Sequence, residues 1–247
     1  MGDSASGHTR LVRTRMTLAL GALLASCMPA GSAAPAGSGG SAAPSMVPTL
    51  RYVALGDSYT IGTSVRENER WPNQLVAALG GGPPALELAG NPAVNGYTTR
   101  DVIADELPKL EALRPEFVSL LIGVNDVIQG VSEDEYRRNL ELILDDVIAR
   151  AGARRVVVVT TPDYTVTPAG ADYGDPTAVS AAIRRYNAIL TEVANARTVP
   201  VVDIYDLSLR VADDRSLVAG DGLHPSGAQY ALWVERILPV VEDLLGG

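Results

Sequence analysis

Cysteine occurs once in this chain of 247 residues, at Cys27, and histidine twice, at His8 and His224. A single cysteine excludes an internal disulfide. With one histidine beyond the first 27 residues there is no His/Cys set of the kind that holds zinc, so neither a metal nor a cofactor is expected. Basic residues are also scarce. Residues 1–27 hold three arginines and one aspartate, and the rest of the chain carries 17 basic against 28 acidic side chains, a net charge of −11. A phosphate backbone is bound through an excess of Lys and Arg, which excludes nucleic acid as a partner. No internal repeat is present. The pattern G-x-S-x-G is absent too, which argues against the fold built around a strained nucleophile elbow.

What is present begins with a leader. Arg10, Arg13 and Arg15 precede an apolar run over 16–25, too short to span a bilayer as a stable helix and typical of an export signal. The run ends in Leu24-Ala25-Ser26-Cys27, which resembles the lipobox of bacterial lipoproteins, where the cysteine is lipidated and becomes the new N-terminus. The resemblance implies a signal peptide over 1–27 and membrane attachment through Cys27, with the domain on the outer face of the membrane. The other reading is an ordinary secretory leader cut farther on, after Ala34-Pro35-Ala36, releasing the protein. Residues 28–48 are almost wholly Ala, Gly, Ser and Pro without charge, the composition of a linker. Such a segment separates its ends by roughly 25 Å as a coil and about 65 Å when extended.

The remaining residues, 49–247, are sufficient for one globular domain. Short runs of Val, Leu and Ile alternate with longer segments of helical period, the signature of βα units feeding a parallel sheet. Strands are expected at 51–55, 85–89, 117–122, 155–160 and 199–204. The clearest helix follows Ser132, which with Glu135 forms a capping box, and carries an apolar stripe of Tyr136, Leu140, Ile143, Leu144, Val147 and Ile148. A second is expected from Pro176, capped by Asp175, to about Ala196, and a last one from about Ser226, kinked or broken at Pro239. Five parallel strands with helices on both faces make a flavodoxin-like three-layer α/β/α doubly wound domain, strand order 2-1-3-4-5.

In open parallel sheets ligands bind beyond the carboxyl ends of the strands. Four segments fall there: Gly56-Asp57-Ser58 after the first strand, Asn95-Gly96-Tyr97-Thr98-Thr99 after the second, Gly123-Val124-Asn125-Asp126 after the third, and Asp221-Gly222-Leu223-His224 after the fifth. A serine hydroxyl is a weak nucleophile until a base takes its proton, and neutral imidazole suits that role. Asp221, three residues before His224, is placed to hold the other ring nitrogen.

In this order the four segments resemble the SGNH or GDSL hydrolases, named for the Ser, Gly, Asn and His of their motif blocks. The resemblance covers the domain from Leu50 to the last helix. It implies Ser58 as nucleophile, His224 as base and Asp221 as its orienting carboxylate. It also implies an oxyanion hole of the Ser58 and Gly96 N–H groups and the Asn125 side-chain amide. The implied activity is that of a serine esterase or lipase acting on a small-molecule ester through an acyl-enzyme. Asp57 and Asp126, inside the motifs, are expected as supporting hydrogen-bonding residues. Trp71 and Tyr97 are pocket candidates, though aromatics near a sheet edge are more often packing residues, and 162–175 is either a lid or binding loop or surface ornament.

Three other functions stay open on this fold: an acyltransferase using the same residues, a flavin carrier with 58–63 as its phosphate loop, and a non-catalytic envelope binding protein.

Overall fold

The computed structural model describes residues 49–80 and 84–246. The leader over 1–27, Cys27 and the linker over 28–48 lie outside the described residues. Five strands, β1 (Thr49–Gly56), β2 (Ala85–Gly90), β3 (Phe117–Leu121), β4 (Val156–Val159) and β5 (Val201–Val202), form one all-parallel sheet in the order β2-β1-β3-β4-β5. Each strand is followed by helical segments, and those after β1 to β4 return the chain to the end of the sheet where the next parallel strand starts. These are α1 (Ser58–Ile61) and α2 (Trp71–Leu79) after β1; α3 (Thr99–Asp101), a π turn (Val102–Glu106), a 3-10 turn (Leu107–Lys109) and α4 (Leu110–Leu113) after β2; and α5 (Val124–Ile128) and α6 (Glu133–Ala151) after β3. Then come α7 (Pro176–Asn195) after β4, and α8 (Tyr205–Leu209) and α9 (Gly227–Gly246) after β5.

The strands are continuous apolar runs because both faces of the sheet are covered. Alternate side chains of β1 separate into two cores: Tyr52 and Ala54 pack with Trp71 of α2 and Tyr230, Trp233 and Ile237 of α9. Val53 and Leu55 pack on the other face with Val102, Leu140, Ile143 and Leu144 and with Leu190 of α7. Helix α6 starts as expected, the Ser132 hydroxyl accepting from the Glu135 N–H at 3.3 Å. The Glu135 carboxylate does not return to the cap but pairs with Arg100 (2.5 and 2.7 Å), tying α6 to α3. The Asp175 carboxylate caps α7 through the Ala178 N–H at 2.8 Å.

One expectation changes and another is narrowed. Strand β5 is two residues long rather than six, because beyond Val202 side chains replace the ladder. The Thr160 hydroxyl accepts from the Ile204 N–H (2.9 Å) and donates to Asp203 (2.8 Å). Of the two outcomes expected at Pro239, the break does not occur: α9 runs through it to Gly246.

Candidate active site

The first strand delivers Ser58. Gly56 ends β1 at φ +152°, where a Cβ would run into the Leu121 carbonyl and the Thr60 hydroxyl, so only glycine turns the chain here. Asp57 caps α1 by accepting the Tyr59 N–H at 3.0 Å. Ser58 is thereby the first residue of a helical turn, its N–H among the donors a helix start leaves free. Among the described residues neither the Ser58 N–H nor its hydroxyl is hydrogen-bonded to another protein group.

The imidazole arrives from the far end of the domain on a loop pinned at both sides, by Ala219 N–H to the His224 carbonyl (2.8 Å) and Ala169 N–H to the Gly222 carbonyl (2.9 Å). One Asp221 oxygen accepts the Leu223 and His224 N–H groups at 2.9 and 3.0 Å. The other meets His224 Nδ1 at 2.7 Å and accepts the Ser64 hydroxyl at 2.7 Å. Partial burial alone would raise the Asp221 pKa, but the Ser64 hydroxyl, the two backbone N–H groups and the His224 ring together hold it well below the ordinary carboxylate range. An ionised Asp221 accepts, so Nδ1 carries a proton, and in the neutral tautomer this selects Nε2 is the nitrogen with the lone pair. The Tyr59 ring packs against the imidazole, centroids 5.7 Å apart.

Two further loops complete the rim. Gly96 adopts φ +83° with open space where a Cβ would stand, so its left-handed backbone, not crowding, calls for glycine. The Gln129 side chain holds the Gly96 carbonyl at 2.8 Å, and among the described residues its N–H has no acceptor. Asn125, on α5, donates one amide hydrogen to the Tyr97 carbonyl at 2.9 Å, which orients the amide. Asp126 beside it is buried and accepts the Thr99 N–H (3.0 Å) and hydroxyl (2.5 Å), locking the second loop to the third. Burial pushes the Asp126 carboxyl up to about 6 against those bonds.

Ser58, Gly96, Asn125 and His224 line a single cavity of about 170 Å³, whose other walls include Tyr59, Val124, Ile128, Tyr164, Tyr173 and Leu223. All four rim residues named from the motif blocks are thus brought together, with Asp221 directly behind His224. Trp71 is not in this cavity; it is fully buried in the core. Tyr97 contributes its carbonyl to Asn125 and sends its hydroxyl to Asp105 (3.1 Å) instead of lining the wall.

The 162–175 loop supplies an aromatic wall. Its Tyr164 and Tyr173 rings meet edge-on at 5.9 Å. Its anchor is the buried Asp163, which accepts from Thr165, Ser180 (2.6 Å) and Tyr205 (2.7 Å). Sequence reasoning missed Ser64 and the two tyrosines as parts of the site. Ser64 carries no motif; its one marker, a φ of +65°, exists only in the fold. Among the described residues no three His, Cys, Asp or Glu side chains converge as a metal-ligand set.

A doubly wound parallel sheet that gathers a serine, an aspartate-bound histidine and free amide donors at one rim defines an ester hydrolase. More narrowly, the profile of the GDSL-like lipase/acylhydrolase family matches residues 54–232, and the chain belongs to that family. Solved structures with the same fold include an acetylxylan esterase from Geobacillus stearothermophilus (20% identity over 79% of this chain and 95% of that one, TM-score 0.62). TesA is similar at 21% identity over 80% of this chain and 99% of that one, TM-score 0.64. A lipase/acylhydrolase from Enterococcus faecalis is similar at 23% identity, 79% and 97% coverage, TM-score 0.61. No curated protein sequence matches the chain.

Proposed function

We propose that this protein is a serine hydrolase that cleaves carboxylic esters through an acyl-enzyme. Ser58 Oγ attacks the ester carbonyl while His224 Nε2 takes its proton, and Asp221 fixes the tautomer and stabilises the imidazolium. The carbonyl oxygen, now an oxyanion, receives the Ser58 and Gly96 N–H groups and the second amide hydrogen of Asn125, donors already in place before charge develops. Collapse expels the alkoxide, which takes the proton from His224. Water, deprotonated by the same imidazole, then attacks the acyl-serine, and the acid leaves as Ser58 recovers its proton.

The observation that carries this reading is the 2.7 Å bond between His224 Nδ1 and Asp221, with the ring on the same cavity as the Ser58 hydroxyl. Those two groups share the cavity without a direct hydrogen bond, as nucleophile and base often do before substrate closes the geometry. Incubation with a fluorophosphonate probe tests it: the wild type becomes labelled and Ser58→Ala does not. Wild-type protein that resists the probe and hydrolyses no p-nitrophenyl ester would instead indicate a binding protein.

Transfer of the acyl group to an acceptor other than water uses the same intermediate. It would be seen as ester product formed when an alcohol is added to the assay. The leader and Cys27 support export with attachment to the membrane by a lipidated cysteine. Metabolic labelling with a fatty acid, lost in Cys27→Ser, tests that assignment.

A further inference from the structure

Behind the nucleophile turn lies a carboxyl group that the chemistry above does not use. Glu106 ends the π turn, a form rare in proteins that occurs mostly as single turns, frequently at functional sites. The turn closes with the Leu107 N–H on the Val102 carbonyl, one residue beyond α-helical spacing, and this geometry accompanies a Glu106 that is wholly buried (0% exposed). One oxygen accepts the Gly56 N–H at 3.1 Å; the other is buried without a partner among the described residues. Gly56 stands two residues before Ser58, where the chain leaves β1 for α1.

We propose that Glu106 is a positioning residue for Ser58, holding the Gly56 amide as a neutral carboxylic acid, and that its ionisation releases the nucleophile turn. The inference rests on the reading of Ser58 as the nucleophile. Either protonation state offers the Gly56 N–H an acceptor, but a carboxylate in this position would be a buried charge with an unbonded oxygen, a far costlier state in low dielectric than the neutral acid. The charged groups around it do not compensate. Asp57, itself buried with an unpartnered oxygen, faces it from the nucleophile turn. Asp101 of α3 adds like charge, Lys109 of the 3-10 turn opposes it, and α6 shares an apolar cluster with the segment, Leu140, Ile143 and Leu144 with Val102 and Leu107.

The electrostatics agree: burial pushes the Glu106 carboxyl up to about 8, with the Gly56 N–H pulling it down and Asp57 pushing it up. Burial likewise pushes Asp57 up to about 8. Ionisation at Glu106 therefore falls within the range in which an ester hydrolase is assayed. The carboxylate would still accept the Gly56 N–H, so release comes from the buried charge drawing its segment toward water, and a turn displaced in this way misplaces Ser58 against His224.

The test is the pH profile of kcat/KM for p-nitrophenyl butyrate and of fluorophosphonate labelling, in wild type, Glu106→Gln and Glu106→Leu. For one controlling ionisation, wild type should lose about tenfold between its plateau and one pH unit above the midpoint. Glu106→Gln, which keeps a neutral acceptor for Gly56, should retain the neutral-pH rate within about threefold and lose or shift that alkaline limb. Glu106→Leu, which removes the acceptor, should lower kcat with KM little changed while circular dichroism stays native. Superimposable normalised profiles for wild type and Glu106→Gln would overturn the proposal. Ser58-independent labelling or hydrolysis would overturn the reading of the site itself, and this inference with it, so the two failures are distinct.

Discussion

Replacing Asp221 by Asn isolates the role of the imidazole tautomer. Asp221 accepts four hydrogen bonds, two from backbone N–H groups on one oxygen and two, from Ser64 and His224 Nδ1, on the other. Asn keeps the first oxygen, so the Leu223 and His224 amides stay satisfied and the loop retains its shape. Its NH₂ then takes the place of the second oxygen. That group donates, so His224 must accept at Nδ1 and carry its proton at Nε2, the atom that should receive the Ser58 proton. The comparable exchange in serine proteases lowers kcat about 10⁴-fold, which corresponds to about 5 kcal/mol of transition-state stabilisation. KM should change little, because Asp221 does not line the cavity. Stability should fall by only about 1 kcal/mol, the order of one exchanged hydrogen bond. The assay is initial-rate hydrolysis of p-nitrophenyl butyrate beside a thermal melt, with Ser58→Ala setting the background. A natively folded Asp221→Asn whose kcat lies within tenfold of wild type would refute the assignment of His224 as a base held by this carboxylate.

Asn125→Ala removes the proposed side-chain oxyanion donor and should lower kcat by about a hundredfold to a thousandfold with a much smaller change in KM; equal kcat would remove Asn125 from that role. Stability should be greater in mild acid than in mild alkali. Burial raises Asp57 and Glu106 to about 8 and Asp126 to about 6, above unfolded values of about 4. Over that interval the native state therefore holds protons that the unfolded chain has released, and stability falls as pH rises through it. Asp221, with its depressed pKa, acts with the opposite sign but only below the unfolded carboxylate range. A melting temperature at pH 9 equal to or above that at pH 5.5 would contradict this balance. The cavity of about 170 Å³ is close to the size that holds one benzene ring. Among p-nitrophenyl esters, kcat/KM should therefore peak at acyl groups of roughly four to six carbons. Tyr173→Ala should move the peak to longer chains, since Tyr173, 45% exposed at the cavity, borders the wall on the solvent side; an unmoved peak would place the acyl group elsewhere.

Periodicity and local chemistry carried the fold and the named corners of the site. Strands buried on both faces must read as apolar runs, and helices must show their stripe, so the alternation of strands and helices was legible before any coordinate, and the doubly wound pattern it implies supplied the order β2-β1-β3-β4-β5. The same holds for caps such as Ser132 and Asp175, which act within three residues of themselves. The motif blocks, through the family resemblance, named Ser58, Gly96, Asn125, Asp221 and His224; each follows a strand of the sheet, on the side where a doubly wound fold gathers its loops.

Contacts between residues distant in sequence were a different matter. The Ser64 hydroxyl on Asp221 spans 157 residues and the Glu106 carboxyl on Gly56 spans 50, and neither partner carries a local signature of the other. Trp71 and Tyr164 are both aromatic and both near the rim in sequence terms, yet one packs in the core and the other lines the cavity. Only the closing of loops over the sheet chose between those fates, because burial is a property of the assembled layers and not of the residue.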